Sequence, residues 1–227
     1  DNVFIGQQTG EGRTAGVNNT FVGAYANFSA GTGSSNTGFG HSTGYSLTTG
    51  AQNTLIGDYA GYLITTGELN TYVGRYSGGD TAVGTSYNVA VGYHSLRYAT
   101  ADQNTALGYY ALGTSTNVSG QLNTAVGIRC LEDVTSGSTN TAIGADSGKS
   151  ITTGANNTAI GNGAADSITS GDNNTMLGQA AGDEASTGDY NICIGHGSGS
   201  GSSPFQLTTQ SGRVIIGDNS IIDAYIK

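Results

Sequence analysis

Glycine closes a short apolar motif at positions 6, 23, 40, 57, 74, 84, 92, 108, 127, 144, 161, 178, 195 and 217, and eight of the intervals are 17 residues. The motif is clearest at Asn157-Thr158-Ala159-Ile160-Gly161 and recurs almost unchanged at Asn140 to Gly144 and at Asn123 to Gly127. A fixed period of this length is the signature of a solenoid, in which each repeat is one coil and only stacked neighbours bury a core. Gly84 is out of phase: Gly74 to Gly108 spans 34 residues, twice 17, and Gly92 divides that span. Thirteen copies therefore set the rod, and Asp80 to Gly84 is expected on the far side of its coil. At about 4.8 Å per coil the rod is roughly 60 Å long.

The residue before the glycine is apolar in every copy, from Ile5, Val22 and Phe39 to Ile194 and Ile216. Three before the glycine stands Thr in ten copies and Val or Ile in the other four. Alternation puts these two positions on one face of a strand, and β-branched residues suit strands. That face is expected to line the coil interior. The residue between them points the other way. It is Phe4, Phe21, Leu55 and Tyr72 early, then Ala82, Ala90, Ala106, Ala125, Ala142 and Ala159, then Met176, Cys193 and Ile215, with Gly38 the exception. A strand apolar on both faces is covered on both. This second face is therefore expected to meet another copy of the chain, with the alanines allowing close approach.

Asn stands four before the glycine in twelve copies, which predicts a stacked side-chain ladder bonded to backbone at one corner. Leu47, Ile64, Ile151 and Ile168, seven after the glycine, predict a second short strand per coil. Gly113 to Gln121 sits in a 19-residue interval and is expected to carry a two-residue bulged loop. The reading is an all-β parallel β-roll or β-solenoid of about 17-residue coils over residues 1–196. A Gly/Ser-rich linker is placed at 197–212, before one last anchor in 213–227.

Composition narrows the function. Only 10% of the 227 residues are charged, the net charge is −9, and the seven basic residues are scattered. No basic patch exists for nucleic acid, and no apolar run is long enough to span a membrane. Cys130 and Cys193 occupy different places in the repeat and read as two buried small hydrophobes rather than a bridge. The first residue lies inside a repeat and is not methionine, which reads as a fragment or a processed product.

Asn-Thr-Ala-Ile-Gly followed by x-x-Ala/Ser resembles the head repeats of trimeric autotransporter adhesins of the YadA type. The longer pattern over Asn140 to Gly161 resembles repeats of bacteriophage tail fibres that carry an endosialidase-type intramolecular chaperone. Val214-Ile215-Ile216-Gly217-Asp218 through Ile221, Ile222, Tyr225 and Ile226 is similar to the segment just before that chaperone. The resemblance implies a side-by-side or intertwined homotrimer, with 213–227 as a C-terminal trimeric strand or cap preceding a missing chaperone. It implies a fibre or adhesin segment on a virion or an extracellular bacterial surface, binding a host-cell glycan or another envelope receptor. A fibre-borne polysaccharide depolymerase and a bacterial adhesin head are the alternatives.

Tyrosine is the residue whose placement departs from the repeat. Eleven of thirteen lie between Tyr25 and Tyr110. Tyr25, Tyr59, Tyr76 and Tyr110 all stand two after the glycine, and Tyr93 stands one after it. A line of aromatics near Asn, Asp and Arg suits glycan recognition, so these five are the candidate binding residues, beside the alternative of a structural tyrosine ladder. The adjacent acids Glu132-Asp133 and Asp183-Glu184 read as solvated turn residues, and His41, His94 and His196 as surface turn histidines. No catalytic residue, metal ligand or cofactor is expected. The Thr column also raises ice binding. Such a face needs outward Thr, and here Thr shares the face assigned to the core, which ranks that reading last.

Overall fold

The computed structural model describes residues 1–29, 31–80, 84–113, 118–201 and 206–218. Among these residues, thirteen three-residue strands form one parallel sheet in strict chain order. They are β1 (Val3–Ile5), β2 (Thr20–Val22), β3 (Thr37–Phe39), β4 (Thr54–Ile56), β5 (Thr71–Val73), β6 (Val89–Val91) and β7 (Thr105–Leu107). The others are β8 (Thr124–Val126), β9 (Thr141–Ile143), β10 (Thr158–Ile160), β11 (Thr175–Leu177), β12 (Ile192–Ile194) and β13 (Val214–Ile216). Every strand pairs in register with its copy one coil away, as Thr158, Ala159 and Ile160 do with Thr175, Met176 and Leu177. The predicted β-solenoid is the observed fold. β5 pairs directly with β6. Residues 81–83 of the out-of-phase copy, expected on the far side of its coil, lie outside the described residues.

The turns follow from three left-handed corners per coil. Positive φ recurs two residues after the closing glycine, four after it and five before it, as at Tyr59, Gly61 and Gln52 around Gly57. The closing glycine itself cannot be replaced. At Gly161 φ is +134°, and a Cβ there would run into the carbonyl of Gly178 in the next coil.

The Asn ladder is present and buried. Both the backbone N–H and Nδ2 of Asn157 donate to Oδ1 of Asn140, at 2.9 and 3.1 Å. Nδ2 also donates to the Gly171 carbonyl at 2.7 Å. Asn174 then donates the same pair to Oδ1 of Asn157. One side chain thus satisfies two backbone groups of the corner, the Gly171 carbonyl and the Asn174 N–H, that the three-residue strands leave unpaired.

Two expectations about the coil are overturned. The first concerns which face is core. Phe21, Leu55, Tyr72, Ala90, Ala125, Ala159, Met176 and Cys193, the middle residues of their strands, are fully buried within the single chain. The flanking residues are the outward ones: Phe39, Ile56, Val91, Leu107, Ile143, Leu177 and Ile194 are exposed, and Thr54, Thr141 and Thr158 are half-exposed. The alanine row is therefore interior and meets no second copy. The cause is width: the interior accepts one residue per strand.

Its filling is compensated across the coil, between the position two before the glycine and the position four after it. Tyr72 and Met176 face Gly78 and Gly182, where any Cβ would strike their side chains. Ala90, Ala106 and Ala125 go with Leu96, Leu112 and Leu131, all fully buried. Phe21 reaches over Gly38 and Gly44, the gap in the next coil.

The second overturned expectation is the second strand. Leu47, Ile64, Ile151 and Ile168 are buried, but each backbone N–H turns back within its own coil, as Ile151 does to the Gly148 carbonyl at 3.1 Å. A donor closing a local turn cannot serve a ladder.

The long interval after Gly108 rejoins the stack at Val118, which bridges Ala99. Residues 114–117 of the expected bulge lie outside the described residues. In the stretch read as a linker, Ser198 Oγ donates to the Ile215 carbonyl at 2.9 Å and Leu207 is buried. Residues 219–227, the expected cap, lie outside the described residues.

Candidate functional site

The five candidate tyrosines are carried by the corner that follows the sheet. Tyr25, Tyr59, Tyr76 and Tyr110 have φ between 55 and 58°, the left-handed conformation, and so does His94 in the intervening coil. A left-handed corner repeated at the coil pitch turns each side chain the same way, so the rings meet. Tyr59 and Tyr76 stack at 4.8 Å with their planes 3° apart. Tyr76 meets the His94 ring edge-on at 5.4 Å, and His94 meets Tyr110 at 4.8 Å. Tyr93 lies flat on His94 at 3.9 Å and meets Tyr110 at 5.9 Å. Tyr25 joins through His41, which stands edge-on between it and Tyr59 at 5.9 and 5.2 Å. All five candidates therefore belong to one aromatic band.

The band is wider than the sequence reading. Phe28, Tyr45 and Tyr62, five residues after their glycines, form a second column with centroids 5.0 and 5.1 Å apart. Tyr62 ties it to the first column, lying edge-on to Tyr59 at 5.1 Å. Tyr109 extends the band by stacking on Tyr93 at 5.5 Å. The missed signal was the shared offset of Phe28, Tyr45 and Tyr62 from the glycine. What was not legible is that the two offsets fold side by side.

Arginines and acids cap the band. The guanidinium carbons of Arg75 and Arg97 each lie 4.9 Å from the Tyr76 ring centroid. Arg75 Nε donates to Asp58 at 3.2 Å, and His41 Nδ1 lies 3.1 Å from the other oxygen of that carboxylate. Arg97 pairs with Asp80. His94 is not the surface histidine expected: it is buried. Burial and the neighbouring Arg97 push its pKa down to about 4, so its ring is neutral at pH 7. Burial raises the Tyr62 and Tyr110 hydroxyls, helped by Tyr45 and Tyr109 respectively.

This geometry limits the chemistry. The faces of Tyr59 and Tyr76 are turned to each other, so inner rings offer edges and hydroxyls rather than flat platforms. Toward the C-terminal end the offset of Tyr45 and Tyr62 carries charge instead, with Glu132, Lys149, Asp166 and Asp183 in successive coils. Burial raises all three carboxyls above their ordinary range, with Asp133 adding for Glu132 and Glu184 for Asp183. Among the described residues no group of three or more His, Cys, Asp or Glu could hold a metal ion. Cys130 and Cys193 are free and buried, and burial pushes their thiols up to about 12 and about 11.

Compared with known family models, curated proteins and solved structures, the chain matches none of them.

Proposed function

We propose that the chain is a rod segment of a fibre-type adhesin. In this reading, copies pack side by side as a homotrimer through the outward face of the sheet and present the aromatic corner to a surface glycan. The observation that carries the reading is the outward column of Ile, Val, Leu and Phe before each glycine, running beside a column that is Thr in nine strands and Val or Ile in the other four. Neither column holds a charged residue. Twelve strand spacings of about 4.8 Å make the stripe about 58 Å long, and two same-face columns make it roughly 10 Å wide. Roughly 600 Å² per copy is at the lower edge of what a stable protein interface buries. The self-association expected from the alanine row is thus transferred to the opposite face of the same strands.

The aromatic corner recognises sugar through tyrosine hydroxyls, ring edges and the Arg75–Asp58 pair, the inner ring faces being already covered. Light scattering at micromolar concentration tests the assembly: a homotrimer has three times the 22.8 kDa chain mass. A monomer overturns it. A glycan-binding screen with Tyr59, Tyr76 and Tyr110 changed to Ala tests the corner, and unchanged binding moves recognition elsewhere.

One observation favours a second reading. The Thr column faces outward, which removes the reason for ranking ice binding last. A chain that stays monomeric and gives thermal hysteresis assigns the sheet face to ice.

A further inference from the structure

We infer that Leu69, Tyr87, Leu122 and Tyr190 are contact knobs for a neighbouring copy of this chain; the inference rests on the side-by-side assembly proposed above. All four occupy the left-handed corner five residues before the closing glycine, with φ of 59, 62, 60 and 58°. Other coils place Asn18, Ser35, Gln52, Gln103, Thr139, Asn156, Asn173 or Gly212 there. Several of these are short polar residues or glycine, which suit that backbone. A Leu or Tyr at a left-handed corner is strained unless something offsets it.

The other two corners of the coil show what offsets it. Leu96, Leu112 and Leu131 are equally left-handed, with φ of 51, 47 and 51°, and all three are fully buried in the core. Tyr59 and Tyr76 are left-handed and stack on each other. Among the described residues, neither burial nor ring stacking offsets it at the third corner. Leu69, Tyr87, Leu122 and Tyr190 are 41, 57, 53 and 67% exposed. Among the described residues, neither Tyr87 nor Tyr190 makes a side-chain hydrogen bond or a ring contact. For Tyr87 and Tyr190 nothing among the described residues offsets the corner, and the compensating contact falls to a neighbour.

The neighbours point to the sheet face as its location. In the strands that follow Tyr87 and Tyr190, Val89 and Ile192 replace the usual Thr and are exposed beside Val91 and Ile194. The two tyrosine corners thus widen the charge-free stripe where the stripe itself turns more apolar. The occupant is a second copy for two reasons. The knobs recur at coil spacing, and Tyr87 and Tyr190 precede β6 and β12, six strands or about 29 Å apart, which only a long partner with a matching axial repeat can meet. The stripe alone reaches only the lower edge of a stable interface, and large exposed side chains along its flank supply the missing area.

The test is sedimentation of the full chain and of Tyr87→Asn/Tyr190→Asn, which installs the residue found at Asn18, Asn156 and Asn173. The expected result is a tenfold or greater rise in the dissociation constant. At concentrations where both chains are monomeric, resistance to urea should be unchanged or higher, because the left-handed strain is relieved. Tyr87→Phe/Tyr190→Phe should assemble like the parent. A photo-crosslinking residue at position 87 alone should join two copies. A parent chain that assembles while the Asn variant matches it within twofold, or while position 87 fails to crosslink, overturns the knobs and leaves the rod reading standing. A monomeric parent overturns both. A variant that assembles normally but unfolds at lower urea shows a role within the chain and overturns the inference.

Discussion

Gly78 lies against the ring of Tyr72 so closely that no β-carbon fits between them. Tyr72 is fully buried, and its hydroxyl donates to Oδ1 of Asn70 at 3.2 Å, linking the core of that coil to the Asn ladder. Eighteen residues later Ala90 takes the place of Tyr72 and Leu96 that of Gly78. The two coils fill one cross-section in opposite ways. Gly78→Ala should destabilise the chain by about 3 kcal/mol, from overpacking against Tyr72 and from the left-handed φ of +55°. Tyr72→Ala leaves a cavity costing roughly 3–5 kcal/mol. Tyr72→Ala/Gly78→Leu copies the next coil and should be more stable than either single variant, a coupling that urea unfolding at fixed protein concentration measures.

The Asn ladder predicts a second effect. Asn157→Ala leaves the Gly171 carbonyl and the Asn174 backbone N–H without their partner in a buried corner. Two orphaned groups cost about 3 kcal/mol together. Amide exchange should accelerate first at Asn174 and its coil neighbours. A uniform acceleration along the rod would show that the ladder acts globally.

His94 sets a pH dependence of definite sign. Its folded pKa of about 4 lies below the unfolded value near 6.5. The stabilising contribution of the neutral ring is complete above about 6.5 and is lost as pH falls toward 4. The raised carboxyls of Glu132, Asp166 and Asp183 act oppositely: they favour the folded state as pH falls through their folded values. His94→Phe keeps an aromatic ring in the stack and should remove the loss between pH 6.5 and 4, leaving the carboxyl trend alone. Urea midpoints across that window separate the two.

Cys130 and Cys193 should resist an aromatic disulfide reagent at pH 8, because burial holds both as thiols well above that pH. Reaction should appear only with unfolding of the coils that hold them. Fast labelling of either thiol in the native chain would contradict its packing.

The aromatic corner was half legible. The offset of Tyr25, Tyr59, Tyr76 and Tyr110 from the glycine placed them in one line. The stacking that covers their faces, and the arrival of Tyr45, Tyr62 and His94 beside them, depend on turns whose left-handed corners are not written in any one residue.

The amino-acid sequence by itself determined the repeat, the thirteen anchors that become strands, their order and register, and the Asn corner. A 17-residue period permits one stacking in which Ile143 meets Ile160 and Asn140 meets Asn157. Only the tertiary structure decided which side of the strand is inside. In Thr158-Ala159-Ile160 the alternation allows Ala159 in or its two neighbours in, and both rows along the rod are apolar. The interior has room for one side chain per strand, so Ala159 goes in and Ile160 faces out. A trace of that decision was present in the pairing of Tyr72 with Gly78 and of Ala90 with Leu96. It becomes readable only when the two positions are known to share the same space.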